Sequence, residues 1–97
     1  MNGADDTMVD AIDLYWRPGC GFCTALIAKL GRTSLPVRMH DIWEDPEAAA
    51  VVRAAARGNE TVPTVGVGDE YLVNPSLNAV LELVGRVAPD LLDADDG

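Results

Sequence analysis

Cys20 and Cys23, separated by Gly21-Phe22, are the two cysteines of a 97-residue chain. Thiols at this spacing do one of two kinds of chemistry: they ligate a metal, or they exchange with disulfides. A zinc centre needs four ligands, and His40 is the one histidine present, so a site would have to borrow carboxylates or a second copy of the chain. His40 is more simply a residue at the end of a strand. Exchange asks for less: an accessible sulfur held as thiolate, and a second sulfur within reach of it. Cys20 stands directly after the apolar-rich run Ile12-Asp13-Leu14-Tyr15-Trp16, and a segment with helical periodicity starts beside it. A sulfur at the first turn of a helix meets unpaired N–H groups, here those of Phe22 and Cys23, and the positive end of the dipole, both of which favour a thiolate. Arg17, three residues earlier, adds a positive charge. Cys23 shares an apolar stripe with Leu26, Ile27 and Leu30, so it is expected to be more buried and to keep its proton. It can still reach Cys20, since residues three apart share a helix face.

The elements that must position these sulfurs can be read along the chain. Residues 11–16 form a first strand, Arg17-Pro18-Gly19 a turn, and the helix that begins at the cysteines closes at Gly31. Pro36 to Ile42 reads as a second strand. Asp45-Pro46-Glu47 is a helix start, with an N-cap, a proline and an acid in the first turn. That helix runs through Val51, Val52 and Ala55 to Gly58. A third strand follows at Pro63–Val67, and Gly68-Asp69 turns it into a fourth at Glu70–Val73. Asn74-Pro75 opens a last helix, with Val80, Leu83, Val84 and Val87 on one face, and Pro89 ends it. The order is β-α-β-α-β-β-α. Strands joined through a helix run parallel and strands joined by a tight turn run antiparallel, so the sheet is mixed. Residues 1–9 read as a loose tail, 10–88 as one domain, and 89–97 as an acidic tail.

Composition narrows the function from outside. The chain is 48% hydrophobic, enough for a packed core, and its net charge of −9 disfavours nucleic acid and anionic membrane as partners. No stretch is long and apolar enough to span a bilayer. Met1-Asn2-Gly3-Ala4-Asp5-Asp6 lacks the basic and apolar regions of a signal peptide, and Met8 is an alternative start. A reducing, cytoplasmic setting is therefore expected, where a CxxC pair is more often reactive than structural.

The CxxC pair at a strand–helix junction, with Thr61-Val62-Pro63 at the mouth of the third strand, resembles the glutaredoxin family over residues 10–88. The resemblance implies a thioredoxin-like α/β fold, a four-stranded mixed sheet flanked by three helices. Within the family, Cys20-Gly21-Phe22-Cys23, Gly58-Asn59-Glu60-Thr61-Val62-Pro63-Thr64-Val65 and Asn74-Pro75-Ser76 are similar to the mycoredoxins, the actinobacterial branch that uses mycothiol. Thioredoxin proper is disfavoured. Its first-strand acid falls where this chain has Leu14, and Asp13, one position off, lies on the opposite face. Glutathione-using members carry Gly-Gly-x-Asp-Asp where this chain has Val73-Asn74-Pro75-Ser76-Leu77, and often a base where it has Glu60. Glutathione bears two carboxylates and an ammonium that those features hold. Mycothiol, uncharged, does not need them.

By this resemblance Cys20 is the nucleophile and Cys23 a resolving thiol that a second small thiol can replace. Pro63 follows a cis bond, and Val62 pairs with the backbone of a bound cysteine derivative. Arg17, Phe22, Thr61, Asn74 and Ser76 line the place where the small thiol binds; Phe22, Trp16 and Trp43 suit core packing as well as a groove wall. The implied activity is reduction of mixed disulfides between proteins and mycothiol by a monomer with no bound cofactor. An NADPH-dependent mycothiol disulfide reductase supplies the electrons at one remove. Two other readings stand beside it: a dimer sharing a [2Fe–2S] cluster through Cys20 and two small thiols, and a dithiol reductase fed by glutathione or a thioredoxin-like system.

Overall fold

The computed structural model describes residues 9–92. Four strands, β1 (Ile12–Trp16), β2 (Val37–Asp41), β3 (Thr64–Val67) and β4 (Glu70–Val73), form one sheet in the order β2-β1-β3-β4. β1 and β2 run parallel, and β3 is antiparallel to both β1 and β4. The three helices are α1 (Gly21–Leu30), α2 (Pro46–Ala55) and α3 (Leu77–Val87). The expected mixed sheet with three helices is the observed architecture.

Each face of the sheet has its own core, as the period-2 alternation of strand side chains requires. On one face Ile12, Leu14, Val65 and Val67 pack with Leu26 and Leu30 of α1 and Val80, Leu83 and Val84 of α3. On the other, Tyr15 packs with Ile42, Val62 and the α2 residues Ala48, Ala49 and Val52. Cys20 and Cys23 belong to this second core. The stripe that suggested Cys23 lies beside Leu26 and Leu30 is thus divided: the first turn of α1 faces the α2 side and its later turns face the larger core.

The strands match to within a residue at each end, and three boundaries differ by more. α2 ends at Ala55, because Arg57 (φ 59°) and Gly58 (φ 92°) take left-handed backbone conformations. α3 begins at Leu77, not at Asn74-Pro75: Asn74 has φ 52°, and the N-cap is Ser76, whose Oγ accepts the Ala79 N–H at 3.1 Å. The expected tail from residue 89 begins as structure: Pro89–Leu91 form a 3₁₀ turn, and Leu91 is buried in the larger core. The tail residues 1–8 and 93–97 lie outside the described residues, and Met8 with them. Among the described residues no helix is long and apolar enough to cross a membrane.

Candidate active site

Cys20 is the N-cap of α1, with an extended backbone (φ −95°, ψ 108°). Its Sγ accepts the backbone N–H of Cys23 at 3.1 Å and, as a thiol, donates to the carbonyl of Val62 at 3.7 Å. Of the two N–H groups expected to point at this sulfur, the Cys23 group makes the bond. The carbonyl of Cys20 holds the helix on the other side, accepting from the N–H of Thr24 at 3.1 Å and from its hydroxyl at 3.2 Å. Cys20 is 8% exposed and Cys23 1%.

Burial pushes the Cys23 thiol up to about 12, and its hydrogen bond to Cys20 adds to the rise, while the Arg17 backbone opposes it. Cys23 is therefore a neutral thiol beside a sulfur that accepts an N–H bond. A thiolate is the attacking species in disulfide exchange, so the two cysteines are not equivalent.

The Val62–Pro63 peptide bond is cis, as the family resemblance implies. Around it, Thr64 Oγ1 donates to the Thr61 carbonyl at 2.9 Å, and the Asn74 N–H donates to the Pro63 carbonyl at 2.7 Å. The first bond closes the segment that leads into β3 and the second ties it to the end of β4, which brings Thr61, Val62, Pro63 and Asn74 to the end of the sheet that carries Cys20. Ser76 lies two residues farther on with its hydroxyl committed to capping α3. Next to Thr61 is an open hollow of about 310 Å³ whose wall includes Arg57, Asn59 and Val73.

Two side chains stand differently from their expected roles. Arg17 lies over the ring of Trp43, 5.5 Å from its centroid, with one N–H turned to the Pro18 carbonyl at 3.3 Å. Glu60, which stands where glutathione-using members often carry a base, is ion-paired with Arg53 of α2 at 2.7 Å, so its charge is largely balanced. Among the aromatics, Trp16 packs against both cores, whereas Phe22 and Trp43 stand 72% and 63% exposed.

A polar cluster that sequence reasoning did not assemble occupies the α2-side face. Asp13 Oδ1 takes the Nε of Arg38 at 3.0 Å and meets Nε2 of His40 at 2.9 Å, and Arg38 also reaches Asp10 at 2.9 Å. Burial alone would raise Asp13, but the bonds and charges of Arg38 and His40 outweigh it and hold the carboxyl below its usual range. His40 stacks on Tyr15 with centroids 4.8 Å apart. The histidine that a zinc site would have needed is engaged here. The signal was available, since Asp13 and Tyr15 alternate on β1 as Arg38 and His40 do on β2, but only the register pairs them.

A glutaredoxin family model matches residues 12–72, which spans both cysteines, the cis-proline and most of the sheet. The chain belongs to the glutaredoxin family. It is 26% identical over 92 residues to Glutaredoxin-C13 of Oryza sativa subsp. japonica, covering 87% of this chain and 84% of the relative. In structure it is similar to the glutaredoxin-like protein NrdH-redoxin from Escherichia coli, with a TM-score of 0.64 at 26% identity over 75% of this chain and 93% of that one. It is also similar to a glutaredoxin from Archaeoglobus fulgidus, with a TM-score of 0.65 at 19% identity over 87% and 95% of the two chains. This glutaredoxin is a thiol–disulfide oxidoreductase with a Cys20–Cys23 pair.

Proposed function

We propose that this glutaredoxin is a cytoplasmic enzyme that reduces mixed disulfides between proteins and mycothiol. The observation that carries the reading is the asymmetry of the pair: Cys20 Sγ accepts an N–H at a helix start beside the Val62 carbonyl, while Cys23 keeps its proton. The Cys20 thiolate attacks the mycothiol sulfur, an S–S bond forms between them, and the protein sulfur leaves with the electron pair and takes a proton. A second mycothiol thiolate then attacks that sulfur, freeing Cys20 and forming mycothiol disulfide, which an NADPH-dependent reductase returns to two thiols. The cycle uses no resident cofactor, and a monomer contains every residue it needs. Thr61, Val62, Pro63, Asn74 and the hollow beside Arg57 receive the small thiol.

The preference for mycothiol rests on the start of α3. Its first turn has no acidic residue, and its N-cap hydroxyl is already bonded to Ala79, so nothing there holds an ammonium. The Arg53–Glu60 pair removes much of the repulsion that an unpaired Glu60 would exert on a glutathione carboxylate. What remains is one or two lost contacts of ~0.5–1 kcal/mol each, or about tenfold in rate. Turnover of matched mycothiol and glutathione mixed disulfides at equal concentration tests this. Equal or faster turnover of the glutathione compound would sink the mycothiol reading and leave the wider activity standing.

One observation favours a second reading. The E. coli NrdH-redoxin, at 26% identity, is described as having a thioredoxin-like activity profile. A dithiol route fed by a thioredoxin-like system would make Cys23 obligatory, and the Cys23→Ser variant separates the two.

A further inference from the structure

The two flanks of Cys20 differ in charge. On the Thr61 side lie Arg53 and Arg57, with Glu60 paired to Arg53. On the other side β2 runs into Asp41-Ile42-Trp43-Glu44-Asp45-Pro46-Glu47, with four acids and no Lys or Arg from residue 39 to residue 52. In the middle of this acidic run Trp43 is 63% exposed, although burying an indole is among the larger apolar gains available to a fold.

Trp43 is held where it stands. Its backbone N–H donates to Asp41 Oδ1 at 2.9 Å, and the backbone N–H groups of Glu44 and Asp45 close on the Asp41 carbonyl at 3.1 and 3.0 Å. The adjoining Ile42 is buried in the same core as Cys20, and its N–H donates to the Trp16 carbonyl at 2.9 Å. Arg17, from the turn that leads into Cys20, lies over the Trp43 ring. Phe22, two residues after Cys20, is the other large exposed aromatic at this end of the sheet. An aromatic surface fixed before binding, with charges around its rim, is the pattern of a docking surface rather than of a core residue left over.

We infer that Trp43 and Phe22, with the carboxylates of Glu44 and Glu47, form the docking surface for the client protein. It accepts an extended segment in which basic and apolar side chains flank the disulfide-bonded cysteine. The inference rests on the exchange activity proposed above and names the partner of that site. The apolar side chain lies on Phe22 and on the part of Trp43 that Arg17 leaves exposed, and the basic ones meet the acidic run. The small thiol occupies the opposite, Thr61 flank, so the two halves of a mixed disulfide are sorted by charge across Cys20. A second copy of this chain, which carries a net charge of −9, would bring like charges to this patch.

The Cys23→Ser protein is mixed with two peptides that share an apolar residue beside a cysteine but carry Arg or Glu flanks. Each cysteine is activated as a 2-thiopyridyl disulfide. Cys20 attacks the peptide sulfur, the Cys20–peptide disulfide forms, and the pyridyl sulfur leaves with the electron pair and takes a proton as the absorbing thiopyridone. The Arg peptide is expected to react about tenfold faster at low salt, the size of two rim ion pairs, and the gap closes as salt shortens the screening length. Glu44→Lys with Glu47→Lys abolishes the gap. Trp43→Ala lowers the ratio of peptide rate to dipyridyl disulfide rate several-fold for both peptides, and Trp43→Phe restores most of it. Equal rates for the two peptides, or a ratio indifferent to Trp43, overturn the docking surface while exchange itself stands. A molar rate that rises with protein concentration gives the patch to a second copy and overturns it too. Failure of Cys20 to react with dipyridyl disulfide removes the exchange reading, and this inference with it.

Discussion

At Cys20 the sulfur accepts the Cys23 N–H at 3.1 Å, whereas burial pushes the Cys23 thiol itself up to about 12. One sulfur is thereby set to attack and the other to wait as a proton-bearing neighbour. Cys20→Ser is expected to abolish reduction of mixed disulfides, because Cys23 is buried and protonated at neutral pH. Cys23→Ser is expected to retain activity within about a factor of three, since an external thiol can resolve the mixed disulfide on Cys20. Steady-state rates of both variants on one mixed disulfide decide it. Equal collapse would mean that the dithiol route is obligatory. Around the pair, side chains found partners that residue type alone does not announce: Arg17 lies on Trp43, and Glu60 pairs with Arg53.

Among the elements, α1 is placed by its caps and its burial. Cys20 begins it, the Gly31 N–H bonds the Ile27 carbonyl at 2.9 Å, and Leu26 and Leu30 anchor it to the larger core. The chain after Pro89 shows how local signals mislead. Pro89 and the acids beyond it read as a frayed end, yet Leu91 folds back against the larger core at 7% exposure. Leu91→Ala should therefore cost about 2–3 kcal/mol, the lower part of the range for emptying a buried leucine site. A frayed segment would show a change near zero, and urea unfolding of the reduced protein tells the two apart. At Gly66 in β3 the constraint is spatial: a Cβ there would lie 2.7 Å from Cε1 of Tyr71, whose ring crosses that strand.

For the molecule as a whole, the α2-side core couples stability to alkaline pH. Two of its members have raised values, both chiefly through burial: Cys23 from 9.0 to about 12, and Tyr15 from 10.0 to about 12, the latter helped by the nearby charge of Asp13. The unfolded chain releases these protons first, so it binds fewer protons than the native state between about pH 9 and 12, and stability falls as pH rises there. Below about pH 9 the contribution is fully present. The slope is at most ~1.4 kcal/mol per pH unit for each group. Urea unfolding of the reduced protein at about pH 8 and about pH 11 should show the loss, and Tyr15→Phe should make it shallower. A flat profile would mean that neither group is held in its neutral form by the fold.

The sequence by itself determined the order of the elements, the placement of Cys20 at a helix start, the burial of Cys23 and the proline that closes on the pair. Each of these is written within a few residues: an apolar-rich run over five positions of β1, periodicity along α1, an N-cap beside a proline at α2. Tertiary structure alone decided which core Cys23 joins, which face each end of α1 meets, and which charges cancel. Asp13 with Arg38 and His40, Arg17 with Trp43, Glu60 with Arg53 and Leu91 with the larger core are all meetings between different elements or loops. They depend on where a strand lands in the sheet and how far a helix runs before it stops. Local propensity carries no information about the distance between two such ends, and packing supplies it.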